Sequence, residues 1–325
     1  MHVHRRHILR LVAITGAAAF TPSLVAAQTY PSRPVKVVVG FPAGGPVDIA
    51  GRVIASWLTE RMGQPFAVDN QPGDSGNSAT RSVIKAAPDG YTLLICGPVN
   101  TINTTLFPNL GFDFARDVEP VAGLYSVPLI IEVHPAVPVK TLAGFISHAK
   151  ANPGKLRVGF AGNGTPQHIG IEQFKMLAGV DLTLVPYLGS TPALADLLAG
   201  RIDAMFDPMP SSIGHVKSGK LVPLAVTGAK RSAALPDVPV AAEFVPGYQA
   251  GSWFGIATPK GTPREIVERL NTEVNAAFGD AASKARIAEL GGTELPGTAA
   301  EFGRFVVQET EKYADVIRKA KIATQ

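Results

Sequence analysis

Two glycine-rich loops carry the residues best suited to chemistry in this 325-residue chain. The first lies within Val35-Lys-Val-Val-Val-Gly-Phe-Pro-Ala-Gly-Gly-Pro-Val-Asp48, and the second is Gly162-Asn-Gly-Thr165. Each leaves a short apolar strand and opens a helix. Free backbone N–H groups and the positive end of the helix dipole converge at such a junction, which makes it a small anion trap. The helical spacing of Val53, Ile54, Trp57, Leu58 and Met62 puts Asp48 where the first helix would have its N-cap. Two such helix starts facing one cleft would hold an anionic group with donors from both sides. The alternative, two ordinary strand-to-helix turns, stays open on the residues alone.

Other chemistry-bearing residues are few. His134, His148, His168 and His215 are the histidines beyond the N-terminal stretch. His168, at the start of the helix after the second loop, would either donate to a bound carboxylate or hold its own loop. Asp207 ends the apolar run Ala204-Met-Phe, where open α/β sheets present ligand-facing residues, and would bind an ammonium or hydroxyl group or cap the next segment. Gly73-Asp-Ser-Gly76 has the letters that surround a trypsin-like nucleophile. That triad needs a histidine earlier in the chain, and only His2, His4 and His7 precede Ser75, so a turn is the better account. Cys96 is the only cysteine; it follows Leu93-Leu-Ile95 and reads as a buried, inert thiol. A thiolate metal cluster is thereby excluded, and no metal or cofactor motif is present.

Arg5 and Arg6, the apolar run Leu11 to Phe20 and Val25-Ala-Ala27 have the three parts of a secretory signal, with cleavage expected after Ala27. Arg5-Arg-His-Ile-Leu9 also has the look of a twin-arginine signal. Cleavage leaves 298 of the 325 residues, and 27 of the 30 basic residues against 26 acids, a net charge of +1. The apparent basicity belongs to the signal, and no Lys/Arg run suited to nucleic acid remains. An exported chain with one cysteine and no second membrane segment points to a bacterial periplasm.

The elements that must position these loops alternate. Short apolar strands and amphipathic helices follow one another from Val35 to Ile95, ending in a polar loop with Asn100, Thr101 and Asn103. A second set runs from Val127 to Thr227. Lys230 to Pro246 is a Pro- and Ala-rich connector, and beyond it come one strand, Trp253 to Thr258, and three helices beginning near Pro263, Ala281 and Ala299. The alternation predicts α/β architecture with largely parallel sheets. The C-terminal part has too few strands of its own, so it is expected to return to the first unit. That gives two lobes, residues 28–126 with 229–325 and residues 127–228, two chain crossings and a cleft between the lobes.

Tyr30-Pro-Ser-Arg-Pro34, Phe41-Pro-Ala-Gly-Gly45 with Asp48, Asn70-Gln-Pro-Gly73, Asp89-Gly-Tyr-Thr-Leu93 and Gly162-Asn-Gly-Thr-Pro-Gln-His168 resemble the motifs of the solute receptors of tripartite tricarboxylate transporters, the Bug or TctC family. Val185-Pro-Tyr187, Asp196-Leu-Leu-Ala-Gly200, Met205-Phe-Asp207, Leu224-Ala-Val-Thr227, Leu235-Pro-Asp-Val-Pro239, Trp253-Phe-Gly255 and Gly261-Thr-Pro263 continue the likeness in order. The resemblance implies a periplasmic binding protein fold of type II-like, two-lobe form, and a non-catalytic, monomeric receptor without cofactor. It implies a small organic acid as ligand, a mono- or dicarboxylate with amino acids and aromatic acids within that class, and the transporter's membrane components as partners. Carried over, the family's ligand contacts fall on Phe41, Ala43, Gly44 and Asp48 in one lobe. In the other they fall on Gly162, Asn163, Gly164, Thr165 and His168, with Asn100, Thr101 and Asp207 completing the site. Two other readings are an enzyme on the same scaffold and a ligand-sensing component. Pro46 and Val47 stand where relatives carry Gly or Ser and then Thr, and Leu188 where Arg or Lys is common. These departures remove two donors and a cation, so a monocarboxylate or partly apolar acid is expected over citrate.

Overall fold

The computed structural model of the chain describes residues 30–323; the export signal expected from the sequence lies outside the described residues. In chain order the regular elements begin with β1 (Val35–Val39), α1 (Pro46–Met62), β2 (Phe66–Asn70), α2 (Asn77–Ile84), β3 (Thr92–Cys96), α3 (Pro98–Leu106) and α4 (Phe114–Asp117). The long β4 (Val118–Val133) then leads to α5 (Leu142–Ala151), β5 (Arg157–Phe160), α6 (Pro166–Ala178), β6 (Thr183–Pro186), α7 (Ser190–Leu198), β7 (Ala204–Pro208), α8 (Met209–Lys217) and β8 (Val222–Val226). The chain closes with β9 (Gly251–Pro259), α9 (Arg264–Ala277), α10 (Ala281–Glu289), β10 (Thr293–Glu294) and α11 (Ala299–Ala320).

The main strand order is β2-β1-β3-β9-β4-β7-β5-β6, with β8 and β10 also paired to β4. β1 runs parallel to β2 and β3, and β5 runs parallel to β6 and β7; β4 and β9 are the antiparallel strands that join the two parallel sets. Valine-rich β1 is buried because helices cover both faces of such a sheet. The sequence reading began a strand at Val127, but β4 starts nine residues earlier. Its first part pairs with β9 and its last five residues, Leu129 to Val133, with β7. Pro120 and Gly123, poor strand formers, are accommodated by register shifts against β9. The return of the chain to the first half is as expected: β9 sits between β3 and β4.

Two further expectations change. Asn100, Thr101 and Asn103 lie in helix α3, whereas a polar loop was expected. Asn100 Oδ1 accepts from the Gly97 N–H at 3.0 Å and its Nδ2 donates to Thr80 Oγ1, while Thr101 Oγ1 donates to Pro98 O, so the polar groups are spent inside the helix and its neighbour. Asp48 is not the N-cap of α1. That position is Gly45, in extended conformation, followed by Pro46 at the first helical position, where a missing N–H costs nothing.

Candidate ligand cleft

The loop after β1 is held by Asp48, which is 1% exposed. Its carboxylate reaches back from the first turn of α1 to accept from the Gly44 N–H at 2.9 Å, and it also accepts from Arg52 Nε at 2.8 Å and Asn70 Nδ2 at 2.9 Å. Burial alone would raise its pKa, but the bonds from Arg52, Gly44 and Asn70 outweigh that and hold the carboxyl below its ordinary value. Asn70 Nδ2 also donates to Phe41 O, so Asp48 and Asn70 together fix the loop from both ends.

The loop after β5 is built in the same way. Thr165 caps α6 and its Oγ1 donates to Gly162 O at 2.7 Å. Gly162 and Gly164 have φ of 105° and 73°, the left-handed region that glycine tolerates. The Gly164 N–H donates to His168 Nδ1 at 3.3 Å, and the imidazole stacks on Phe160. His168 therefore serves its own loop, and burial pushes its pKa down, favouring the neutral ring that can accept this bond. Asn163 completes the turn.

Each loop touches an element of the other half. Thr191 Oγ1 donates to Ala43 O at 2.9 Å, and a Cβ on Gly164 would fall 2.0 Å from Asn103 Oδ1 of α3. Between them lies a cavity lined by Phe41, Gly45, Pro46, Val47, Gly97, Pro98, Val99, Ala161, Thr165, Pro166, Gln167, Ser190, Pro208, Ser252 and Phe254. Five helices begin on this wall: α1, α3, α6, α7 and α8. Not one lining residue carries a charge at neutral pH. The positive ends of five helix dipoles thus converge on a wall with no side-chain cation to repel, or anion to satisfy, what sits there.

Of the residues expected at the site, Phe41 and Thr165 line the cavity. Ala43, Gly44, Gly162, Asn163 and Gly164 form the loops behind or beside it, Asp48 and His168 hold those loops in place, and Asn100 and Thr101 do not line it, their side chains being bonded to Gly97, Thr80 and Pro98. Asp207 is fully buried behind the wall, where it accepts from Ser190 Oγ, Gln167 Nε2, Ser211 Oγ and Ser212 Oγ. Gly45, Gly97 to Val99, Ala161, Pro166, Gln167, Ser190, Pro208, Ser252 and Phe254 also line the cavity and were not among the residues expected there. The signal was there for some of them, since Gly97-Pro98 and Gly189-Ser190 each stand between a strand and an apolar helical run. Leu188 is 74% exposed, outside the cavity.

Among the described residues no helix is long and apolar enough to cross a membrane, and no group of three or more His, Cys, Asp or Glu is placed to hold a metal ion. The chain is 34% identical over 320 residues to protein BugT of Bordetella pertussis, covering 96% of this chain and 98% of that protein. Its fold matches that of R. palustris Rpa4515 with adipate at a TM-score of 0.89 and 39% identity, over 91% of this chain and 100% of the other. MatC from Rhodopseudomonas palustris with bound malate matches at a TM-score of 0.83 and 33% identity, over 89% and 100%. The periplasmic binding protein BugD matches at 0.87 and 32%, over 91% and 100%, so the two-lobe binding-protein fold is shared throughout. The family model for the tripartite tricarboxylate transporter family receptor, TctC, matches residues 50–322, and the chain belongs to that family.

Proposed function

We propose that the protein is a periplasmic solute receptor that closes two lobes on a small organic carboxylate and delivers it to the membrane components of a tripartite tricarboxylate transporter. The observation that carries this reading is the convergence of five helix starts on one uncharged cavity wall. Backbone N–H groups there grip a carboxylate without discriminating what is attached to it. Relatives of the same fold hold adipate and malate, which supports a carboxylate as the common ligand element. The lobes are residues 28–126 with 229–325 and residues 127–228, and the ligand stabilises the closed state by touching both.

The residues Pro46 and Val47, both on the wall, favour a monocarboxylate or partly apolar acid. Pro46 offers no N–H, Val47 no hydroxyl, and no lining side chain supplies a cation for a second or third carboxylate. A thermal-shift screen of organic acids and amino acids, followed by calorimetry on the hits, tests the reading. Stabilisation by carboxylates and not by sugars or cations is expected. Tighter binding of citrate than of every monocarboxylate would reject the specificity, and stabilisation by no carboxylate at all would reject the receptor assignment.

A further inference from the structure

The polar side chains that the second lobe contributes to the cavity have their protons committed elsewhere. Thr165 Oγ1 donates to Gly162 O. Ser190 Oγ donates to Asp207 Oδ1 at 2.5 Å, and Gln167 Nε2 donates to Ser190 Oγ at 3.0 Å and to Asp207 Oδ1 at 3.3 Å. A hydroxyl has one proton and an amide nitrogen two, so the donors of both residues are used up. What Ser190 and Gln167 retain is acceptor capacity: a second lone pair on Oγ, and the carbonyl oxygen Oε1. Both side chains are only 2% exposed, so water does little to reset this polarity.

The arrangement depends on where one buried charge sits. Asp207 on β7 and Glu132 on β4 are both fully buried and share Ser212, whose Oγ lies 2.6 Å from Glu132 Oε1 and 3.0 Å from Asp207 Oδ2. Two carboxylates this close, with no ion-pair partner for either among the described residues, do not both ionise. Asp207 accepts from four donors, whereas Glu132 has Ser212 alone and its Oε2 has no partner. The proton therefore resides on Glu132 and the charge on Asp207. Burial and the neighbouring Asp207 push Glu132 well above the usual carboxylate range, in line with this assignment. Burial also raises Asp207, with its four hydrogen bonds opposing the rise.

We propose that Asp207 is a positioning residue for ligand choice: by holding the protons of Ser190 and Gln167 it turns the second-lobe wall into an acceptor surface, and the receptor takes a carboxylate that also carries a hydroxyl group. This rests on the carboxylate-receptor reading above. An ammonium group would supply donors too. It would, however, sit among the positive ends of five helices and reach Asp207 only through Ser190, so an uncharged donor is the better fit. An acid lacking the donor leaves buried acceptors dry and unpaired, and a penalty of roughly 10- to 100-fold in affinity follows.

The test is calorimetry on the full receptor with matched hydroxy, unsubstituted and oxo acids: lactate, propionate and pyruvate, then 3-hydroxybutyrate, butyrate and acetoacetate. At least one hydroxy acid is expected to bind some 10- to 100-fold more tightly than its two partners. In Asp207→Asn the amide can donate to Ser190 Oγ, freeing the hydroxyl proton toward the cavity, so the ratio of hydroxy to oxo acid should collapse or invert. A purely structural role for Asp207 would instead weaken all three acids alike. Ser190→Ala should erase the preference as well, and it decides the question if the Asp207 variant fails to fold. Glu132→Gln should keep the preference. Binding of carboxylates with equal affinity for hydroxy and unsubstituted forms overturns this inference alone, while binding of no carboxylate overturns the receptor reading with it.

Discussion

At the scale of single residues, two buried carboxylates act in opposite directions on stability. The folded-state pKa of Asp48 is depressed, so its contribution is present above the unfolded value near pH 4 and is lost as pH falls through the lower folded value. Asp48→Asn should cost about 1–3 kcal/mol at neutral pH, because it weakens bonds to Arg52, Gly44 and Asn70, and should flatten the acid limb of the stability profile. Urea melts at several pH values would check this; an unchanged acid limb would remove Asp48 from the account. Glu132 has the opposite sign. Its folded pKa is raised, so the unfolded chain releases a proton that the folded chain keeps, and stability declines as pH rises above about 4.3 until the folded value is reached. Glu132→Gln mimics the protonated form, and melts at pH 5, 6.5 and 8 should show a shallower decline than wild type. An identical slope would mean that Glu132 is not where the proton sits.

At the scale of elements, the sequence showed the strand, glycine turn and helix units clearly, because apolar runs and glycines mark them locally. It showed helix α3 poorly. Asn100, Thr101, Asn103 and Thr104 look like loop residues until their side-chain bonds to Gly97, Thr80, Pro98, Asn77 and the helix's own backbone are known. The early start of β4 was hidden by Pro120 and Gly123, which only the pairing with β9 tolerates. The cavity wall followed the same division. Loops with a glycine signature were legible, whereas Gln167 and Ser190 matter through partners at 40 and 17 residues' distance, which no local pattern reports. The first turn of α7 also has a task of its own, since Thr191 ties it to Ala43 of the opposite half. Thr191→Val removes that cross-cleft bond and nothing else of size. It should leave the melting temperature of ligand-free protein within about 1–2 °C and weaken ligand binding by about 2- to 10-fold, as one exposed hydrogen bond implies. Unchanged affinity would show that the tie plays no part in closure.

At the scale of the whole molecule, both passages between the halves lie side by side. On the proposed division into lobes, β4 crosses at Val127 and Pro128, which pair with Ser252 and Gly251 of the returning β9. Thr227 fastens the start of the return: its N–H donates to Leu129 O, its hydroxyl donates to Ala250 O, and it accepts from the Leu129 N–H. A pair of adjacent strands resists translation but permits rotation, because small changes in φ and ψ at a few residues re-aim everything beyond them. Opening is nevertheless opposed, for α1 packs on α8 of the other half and both helices contribute to one apolar cluster. Because the paired strands permit rotation that the α1–α8 contact restrains, ligand-free protein should sample a more open form, and a saturating carboxylate should draw it toward the roughly 19 Å radius of gyration expected of a compact chain of about 300 residues. The same ligand at 100 times its dissociation constant adds about 2.7 kcal/mol and should raise the melting temperature by several degrees. X-ray scattering and calorimetric melts on one sample decide between closure and a static cleft. A ligand that raises the melting temperature while leaving the radius of gyration unchanged would show that binding proceeds without movement of the lobes, and the β4–β9 crossing would then be a strut and not a hinge.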